Sequence, residues 1–244
     1  MTASQSYITA EDYMDNDVAY LLGMLFGRGQ LIEDGDGRRA VIALDIRRKL
    51  PKLPPGTKVQ MDLDVENERS LGLVRGRVNE LLDANVDIRP VKAGKQELTA
   101  IFVKRTIAWR DLKLLCSNGT ARTNFRLPKV FFEFNEDIHR EFLRGFADVA
   151  VMPSWADNAW GTRARIAFPV VHPNIYFARQ LRRLLRSVGA PAELLEGTAK
   201  KRGSRKEHRI RLDADKYEPI GFHFPHKQRL LELLSEFNRQ GRSR

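Results

Sequence analysis

The sequence predicts an α+β fold made of two copies of an αββαββα unit. Three observations lead there. Stretches with the apolar period of a helix alternate with stretches of strand period, and the order is the same in both halves of the chain. Each half carries a helix whose apolar stripe ends in a Leu-Leu pair, Leu81-Leu82 and Leu184-Leu185. Each half also opens on a helix with glycine in its interior, Gly23 in one and Gly145 in the other. The halves divide into units over 1–125 and 126–244, each long enough to bury a core of its own.

In the first half, DVAYLLGMLFG reads as a helix from Asp17 to about Phe26, with Asp17 as N-cap and Gly27 and Gly29 as its stop. A hairpin follows, in which GQLI enters the turn EDGDG and RRAVIALDIRR leaves it. In the outgoing strand Ala40, Ile42, Leu44 and Ile46 alternate with Arg39, Val41, Ala43, Asp45 and Arg47. One face is therefore apolar and the other mixed, with arginine at both ends. Pro51, Pro54, Pro55 and Gly56 mark a loop. The stripe of Leu71, Val74, Val78, Leu81 and Leu82 predicts a helix over 68–84. Strands over 87–91 and 97–104 flank a turn, and TIAWRDLKLLC closes the half as a short helix.

The second half repeats this order. Pro128 marks a loop before NEDIHREFLRGFAD, a helix capped by Asn135. TRARIAFPVV is a strand, and 174–188 is a helix carrying Ile175, Phe177, Leu181, Leu184 and Leu185. Strand patterns surround 200–206, and HKQRLLELLSEFNRQ is the closing helix. Trp155 and Trp160 fall in an insertion after the glycine-bearing helix and are expected to pack a long loop.

Lys and Arg number 42 against 31 Asp and Glu, a net charge of +11. Such a surplus concentrates polyanions around a protein, which places nucleic acid ahead of an anionic membrane or an acidic protein as partner. The excess is clustered at Arg38, Arg39 and Arg47 to Lys49, at Arg179, Arg182, Arg183 and Arg186, between Lys200 and Arg211, and at the C-terminus. The single cysteine, Cys116, forms no internal disulfide, and no Cys/His group has zinc-ligand spacing. His208, His223 and His226 lack the spacing of a metal pair, and His139 is expected at the surface. No glycine-rich phosphate loop and no nucleophile–base pair is recognisable. The polar, acidic N-terminus lacks the pattern of a signal peptide, and no apolar run nears the roughly 20 residues of a membrane span. A cytoplasmic location is expected, nucleoid-associated in a bacterium, without a membrane partner.

LLGMLFGRG over 21–29 and LRGFADVAV over 143–151 together resemble the two motifs of the LAGLIDADG homing endonucleases, in their two-motif, monomeric type. The lead-in LPKVFFEF and the stretch IGFHFPHKQRLLELL resemble further parts of a family repeat. The resemblance implies two curved antiparallel sheets that form a DNA-binding saddle, with the motif helices crossing between the repeats. Gly23 and Gly27 are four residues apart and so share a helix face, with Gly145 in the matching place. A mid-helix glycine costs about 0.5–1 kcal/mol relative to alanine, so close packing at this repeat interface is the expected compensation.

In active family members the penultimate motif position is an acid, and the two acids hold divalent metal that activates water. Here those positions are Arg28 and Ala150. The resemblance therefore implies a chain without the family's cleavage chemistry and without a cofactor. Mg²⁺ enters only if displaced acids serve instead. Asp148 is the nearest remnant, expected to cap the helix end or sit in the interface. Glu33, Asp34 and Asp36 belong to turn chemistry.

The reading is a sequence-specific, double-stranded DNA-binding protein derived from a homing endonuclease, serving as regulator or recognition subunit. The alternatives are an active metal-dependent endonuclease and an RNA-binding intron maturase, and composition does not separate DNA from RNA. Alternation nominates the contacts. Arg163 and Arg165 lie opposite Ala164, Ile166 and Phe168, while Arg209 and Arg211 lie opposite Ile210 and Leu212 with Arg205 in register. Gln30, Arg39 and Arg47 fit the first sheet, and Lys200, Lys201, Arg202 and Lys206 fit a turn that grips phosphates.

Overall fold

The computed structural model describes residues 14–35, 37–45, 49–82, 85–92, 95–102, 107–155, 163–198 and 206–242. Helix α1 (Asn16–Arg28) leads into strands β1 (Gly29–Asp34) and β2 (Gly37–Asp45), then α2 (Leu63–Leu82), β3 (Asn85–Lys92), β4 (Lys95–Phe102) and α3 (Ile107–Leu115). A 3-10 turn at Lys129–Glu133 precedes α4 (Glu136–Ala150), β5 (Arg165–Val171), α5 (Ile175–Ser187), β6 (Glu193–Thr198), β7 (Glu207–Asp213), α6 (Ala214–Tyr217) and α7 (Pro225–Arg242). Both sheets are antiparallel, one ordered β1-β2-β4-β3 and the other β5-β7-β6. Among the described residues no helix is long and apolar enough to cross a membrane.

The two glycine-bearing helices, α1 and α4, pack against each other along their length at the centre of the molecule. Around them one continuous apolar core joins both halves, with Leu21, Leu22, Met24 and Leu25 of α1 facing Phe142, Leu143 and Phe146 of α4. Phe26, Phe125, Phe142 and Phe177 stack in a cluster with centroid separations of 4.8–5.5 Å around Phe26. The edge of β1 is covered by the segment after α3, where Leu31 N–H donates to Thr120 O at 2.7 Å and Gln30 bridges Ala121. Covering an edge in this way removes a template for unwanted strand pairing.

Four expectations need correction. The cap of α1 is Asp15, whose side chain accepts from Val18 N–H; Asp17 lies in the first turn and pairs with Arg77 instead. Gly27 does not end α1, which continues to Arg28, because Gly27 faces Val149 on α4 and the packing compensates for its weak helix propensity. The second half lacks, among the described residues, a full strand ahead of β5: a single bridge joins Ser154 to Arg165. Pro153 beside that bridge has no N–H to extend a ladder. His139 is buried, with Nε2 2.9 Å from Phe131 O and its ring against Phe131. Asn135 caps α4 through Ile138 N–H, and Asn174 caps α5 through Phe177 N–H. Trp155 packs a loop as expected, its backbone N–H donating to Lys52 O and its ring under Lys52 Nζ at 4.8 Å. Trp160 lies outside the described residues.

Candidate nucleic-acid interface

The helix crossing is made of backbone. A Cβ added to Gly23 would stand 2.0 Å from Phe142 O and 2.8 Å from Phe146 N, and one added to Gly145 would stand 2.0 Å from Tyr20 O. Phe142 comes three residues before Gly145, and Tyr20 three residues before Gly23, so the contact is reciprocal. A Cβ on Gly27 would meet Val149 Cγ2 at 2.7 Å and Phe146 O at 3.1 Å.

Arg28 and Ala150 sit at the C-terminal ends of the crossing helices, and both flank Gly27. Arg28 lines a cavity of about 570 Å³ with Arg122, His172, Lys206 and Glu207. A guanidinium has no acceptor atom and an alanine methyl no ligand atom, so these two positions do not fit a divalent metal. Among the described residues no group of three or more His, Cys, Asp or Glu is placed to hold one.

Asp148 is buried within the interface. Its carboxylate accepts from Tyr20 Oη–H at 2.8 Å, His223 N–H at 3.3 Å and Phe224 N–H at 3.2 Å. Burial raises its pKa, against the opposing pull of Lys227 and these donors. Lys227 Nζ enters from α7 and donates to Ala147 O at 3.3 Å, Val151 O at 2.6 Å and Asp148 O, capping the C-terminal carbonyls of α4. At the other end of the crossing, Glu141 gathers His223 Nε2 at 2.8 Å, Arg77 at 3.4 Å and Arg144. Burial alone would raise the pKa of Glu141, yet the interactions with His223 and Arg144 hold it at about 2.

The strand register decides where the nominated cations point. In the second sheet Arg165 pairs with Asp213, Ala167 with Arg211 and Pro169 with Arg209. Arg165, Arg209 and Arg211 therefore share the face opposite the buried Ile166, Phe168, Ile210 and Leu212. Arg163 joins them through Asp213, which it reaches at 2.9 Å while Arg165 lies at 3.6 Å. In the first sheet Gln30 pairs with Val41 and Ile32 with Arg39, so Gln30 and Arg39 share a face.

The cations of the first sheet are matched locally. Arg39 pairs with Asp34 at 2.6 Å, Arg38 with Glu33 at 2.8 Å, and Lys113 with Glu33 at 3.0 Å. The turn acids thus hold the ends of the hairpin, while in the second sheet Arg163 and Arg165 share Asp213 and Arg209 lies 3.7 Å from Glu207. Val41, expected on the mixed face, is only 6% exposed. Lys206 is exposed at the start of β7, while Arg47, Lys200, Lys201, Arg202 and Arg205 lie outside the described residues.

No protein-family model and no curated protein matches the sequence. Solved structures do match. I-DmoI in complex with DNA and calcium superposes with a TM-score of 0.52 at 14% identity, over 89% of this chain and 97% of that one. The homing endonuclease I-WcaI bound to its DNA recognition sequence gives 0.52 at 9% identity, over 95% of each chain. Full-length DUF199/WhiA from Thermatoga maritima gives 0.50 at 15% identity, over 98% of this chain and 63% of that one.

The chain has the LAGLIDADG fold.

Sequence reasoning named Arg182 and Arg186 only within a basic cluster and did not single out Lys216 or Lys227. The first two were within its reach, because Arg182 and Arg186 are one helical turn apart and so share a face of α5. Lys227 carried no such signal, since a lysine in the first turn of an amphipathic helix normally points to water.

The α7 start also sets a pH dependence of the LAGLIDADG domain's stability. His226 is 3% exposed, with Nδ1 3.5 Å from Ser70 Oγ. Burial and then the neighbouring Lys227 charge lower its pKa to about 4. An unfolded-state histidine takes a proton near pH 6.5, so the unfolded chain binds more protons between there and pH 4. Stability is expected to fall across that window, by up to about 3 kcal/mol for this group. Melting temperatures at pH 7, 5.5 and 4.5 check this: His226→Gln should flatten the profile, and an unchanged slope in the variant would rule it out.

Proposed function

We propose that this LAGLIDADG-fold chain binds duplex DNA, reads its sequence through outward-facing strand residues, and does not cut it. The observation that carries the reading is the placement of Arg165, Arg209 and Arg211 on one face of β5 and β7, with Arg163 just ahead of β5 tied to them through Asp213. Arginine forks on a strand face suit bidentate contacts to guanine O6 and N7 in a major groove. I-DmoI and I-WcaI, which share the fold, are bound to DNA in their structures. The absence of cutting rests on Arg28 and Ala150. The two units, 1–125 and 126–244, act as one monomer in which α1 and α4 set the spacing of the two sheets, and the role is that of a regulator or recognition subunit.

The deciding experiment is selection from a pool of random duplexes at several salt concentrations, with the bound fraction sequenced. One long enriched site that survives high salt is expected. Binding without enrichment that collapses with salt would reduce the +11 charge to generic attraction. With the site in hand, Arg209→Ala is expected to cost about 1–3 kcal/mol and to relax preference at one position. Plasmid incubated with Mg²⁺ or Mn²⁺ should stay intact. A nick that vanishes in Asp148→Asn would favour the endonuclease alternative, and preference for a structured intron RNA the maturase one.

A further inference from the structure

Beyond the strand face, a cleft of about 500 Å³ opens at one end of the second sheet. It is lined by Arg163 and Arg165 of the β5 end, Arg211 of β7, Arg182 and Arg186 of α5, and Lys216 of α6. Only two acids, Glu193 and Asp213, also line it. Asp213 is occupied by Arg163 and Arg165, and Glu193 stands opposite Arg211 in the strand register. Arg182, Arg186 and Lys216 form no ion pair with a described residue.

The arginine cluster of α5 divides by helix face. Arg179 pairs with Glu196 at 3.4 Å and Arg183 lies over the Phe132 ring at 4.6 Å, both away from the cleft. Arg182 and Arg186, four residues apart, turn into it. Arg211 feels burial first and then repulsion from Arg209 and Arg165, and both lower its pKa. Like charges held together at a rigid sheet end are stabilised by an anion that bridges them.

We propose that the helix side of this cleft, where Arg182, Arg186 and Lys216 stand, is a phosphate-binding site at the border of the base-reading face, and that its occupant is a backbone phosphate of bound duplex. The guanidinium forks of Arg182 and Arg186 converge here with the Lys216 ammonium, and a phosphate offers oxygens in enough directions to meet them where a carboxylate offers two in one plane. The choice of duplex as source rests on the proposed function, because the cleft is continuous with the face that carries Arg165 and Arg211. Its role is positioning and affinity, with no sequence information of its own.

The test compares the wild type with Arg182→Gln/Arg186→Gln and with Arg182→Lys/Arg186→Lys. Titrations use the selected site and a scrambled duplex of equal length at several salt concentrations, alongside calorimetry with inorganic pyrophosphate. In the glutamine variant both duplexes should weaken by the same factor, roughly tenfold at low salt, and the log–log salt slope should drop by about 0.9 per phosphate lost. The order of sequence preference should not change. The lysine variant should keep the slope and lose part of the affinity. Loss confined to the selected site would overturn the proposal, since the arginines would then be reading bases, and so would an unchanged slope. If the wild type binds no duplex, the proposed function fails, and pyrophosphate decides the cleft. Binding lost in the glutamine variant would keep a phosphate site filled by a free phosphate compound, and no binding would remove it.

Discussion

Gly145→Ala is expected to destabilise the protein by at least about 4 kcal/mol, a loss that leaves little folded chain at ordinary temperatures. The added Cβ would lie 2.0 Å from Tyr20 O, and the neighbouring atoms it meets are all backbone. No rotamer change relieves such an overlap. Relief requires the helices to part by more than an ångström, which opens voids among Leu21, Leu25, Phe142 and Phe146 in a close-packed core. Gly72→Ala and Gly76→Ala are the controls, because nothing lies within 4 Å of a Cβ at either place on α2. Each should stabilise by about 0.5–1 kcal/mol. Urea denaturation of the three variants makes the comparison, and a Gly145→Ala midpoint close to wild type would sink the backbone-contact account.

Lys227→Met is expected to cost about 3–5 kcal/mol, the range for removing one partner of a buried charge pair. Lys227 is 5% exposed, and its ammonium supplies donors to three carbonyls at the end of α4, beside the buried Asp148 carboxylate. Methionine fills the volume and supplies none of this. Removing the charge on Asp148 as well should recover part of the loss, so Lys227→Met/Asp148→Asn is expected to be less damaging than the sum of the single changes. Strict additivity in thermal unfolding would show that Lys227 acts only on the helix carbonyls and not on Asp148.

Much of the fold was legible because period and punctuation agree. Ala40, Ile42 and Leu44 could only be one face of a strand, and the glycine inside each motif helix had no purpose except contact. Details went astray where two residues of the same type compete or where long-range partners decide. Asp15 and Asp17 both suit a cap, and the choice falls to Asp15 because Arg77, some 60 positions along, engages Asp17. His139 was expected in water because a polar residue on a helix gives no sign of the Phe131 carbonyl that will meet it. The candidate interface was legible on β5 and β7, where alternation puts Arg209 and Arg211 on one side. Arg39 was placed on the right sheet, but its partner Asp34 was read as turn chemistry alone. The cleft was hidden because its cations come from strands and helices distant in sequence.

The reciprocal joint at Gly23 and Gly145 has a bearing on how such a protein can change. Its tightest atoms are carbonyl and amide groups that every residue possesses, so beyond its glycines and the buried Tyr20–Asp148 bond the joint asks little of particular side chains. The two halves can therefore accumulate unlike side chains without losing their mutual alignment. That freedom is visible in a first hairpin where Arg38 and Arg39 pair with Glu33 and Asp34, beside a second sheet where Arg163 and Arg165 share one acid, Asp213. A joint made through the main chain lets the surfaces on its two sides diverge one substitution at a time while the helices between them keep their alignment.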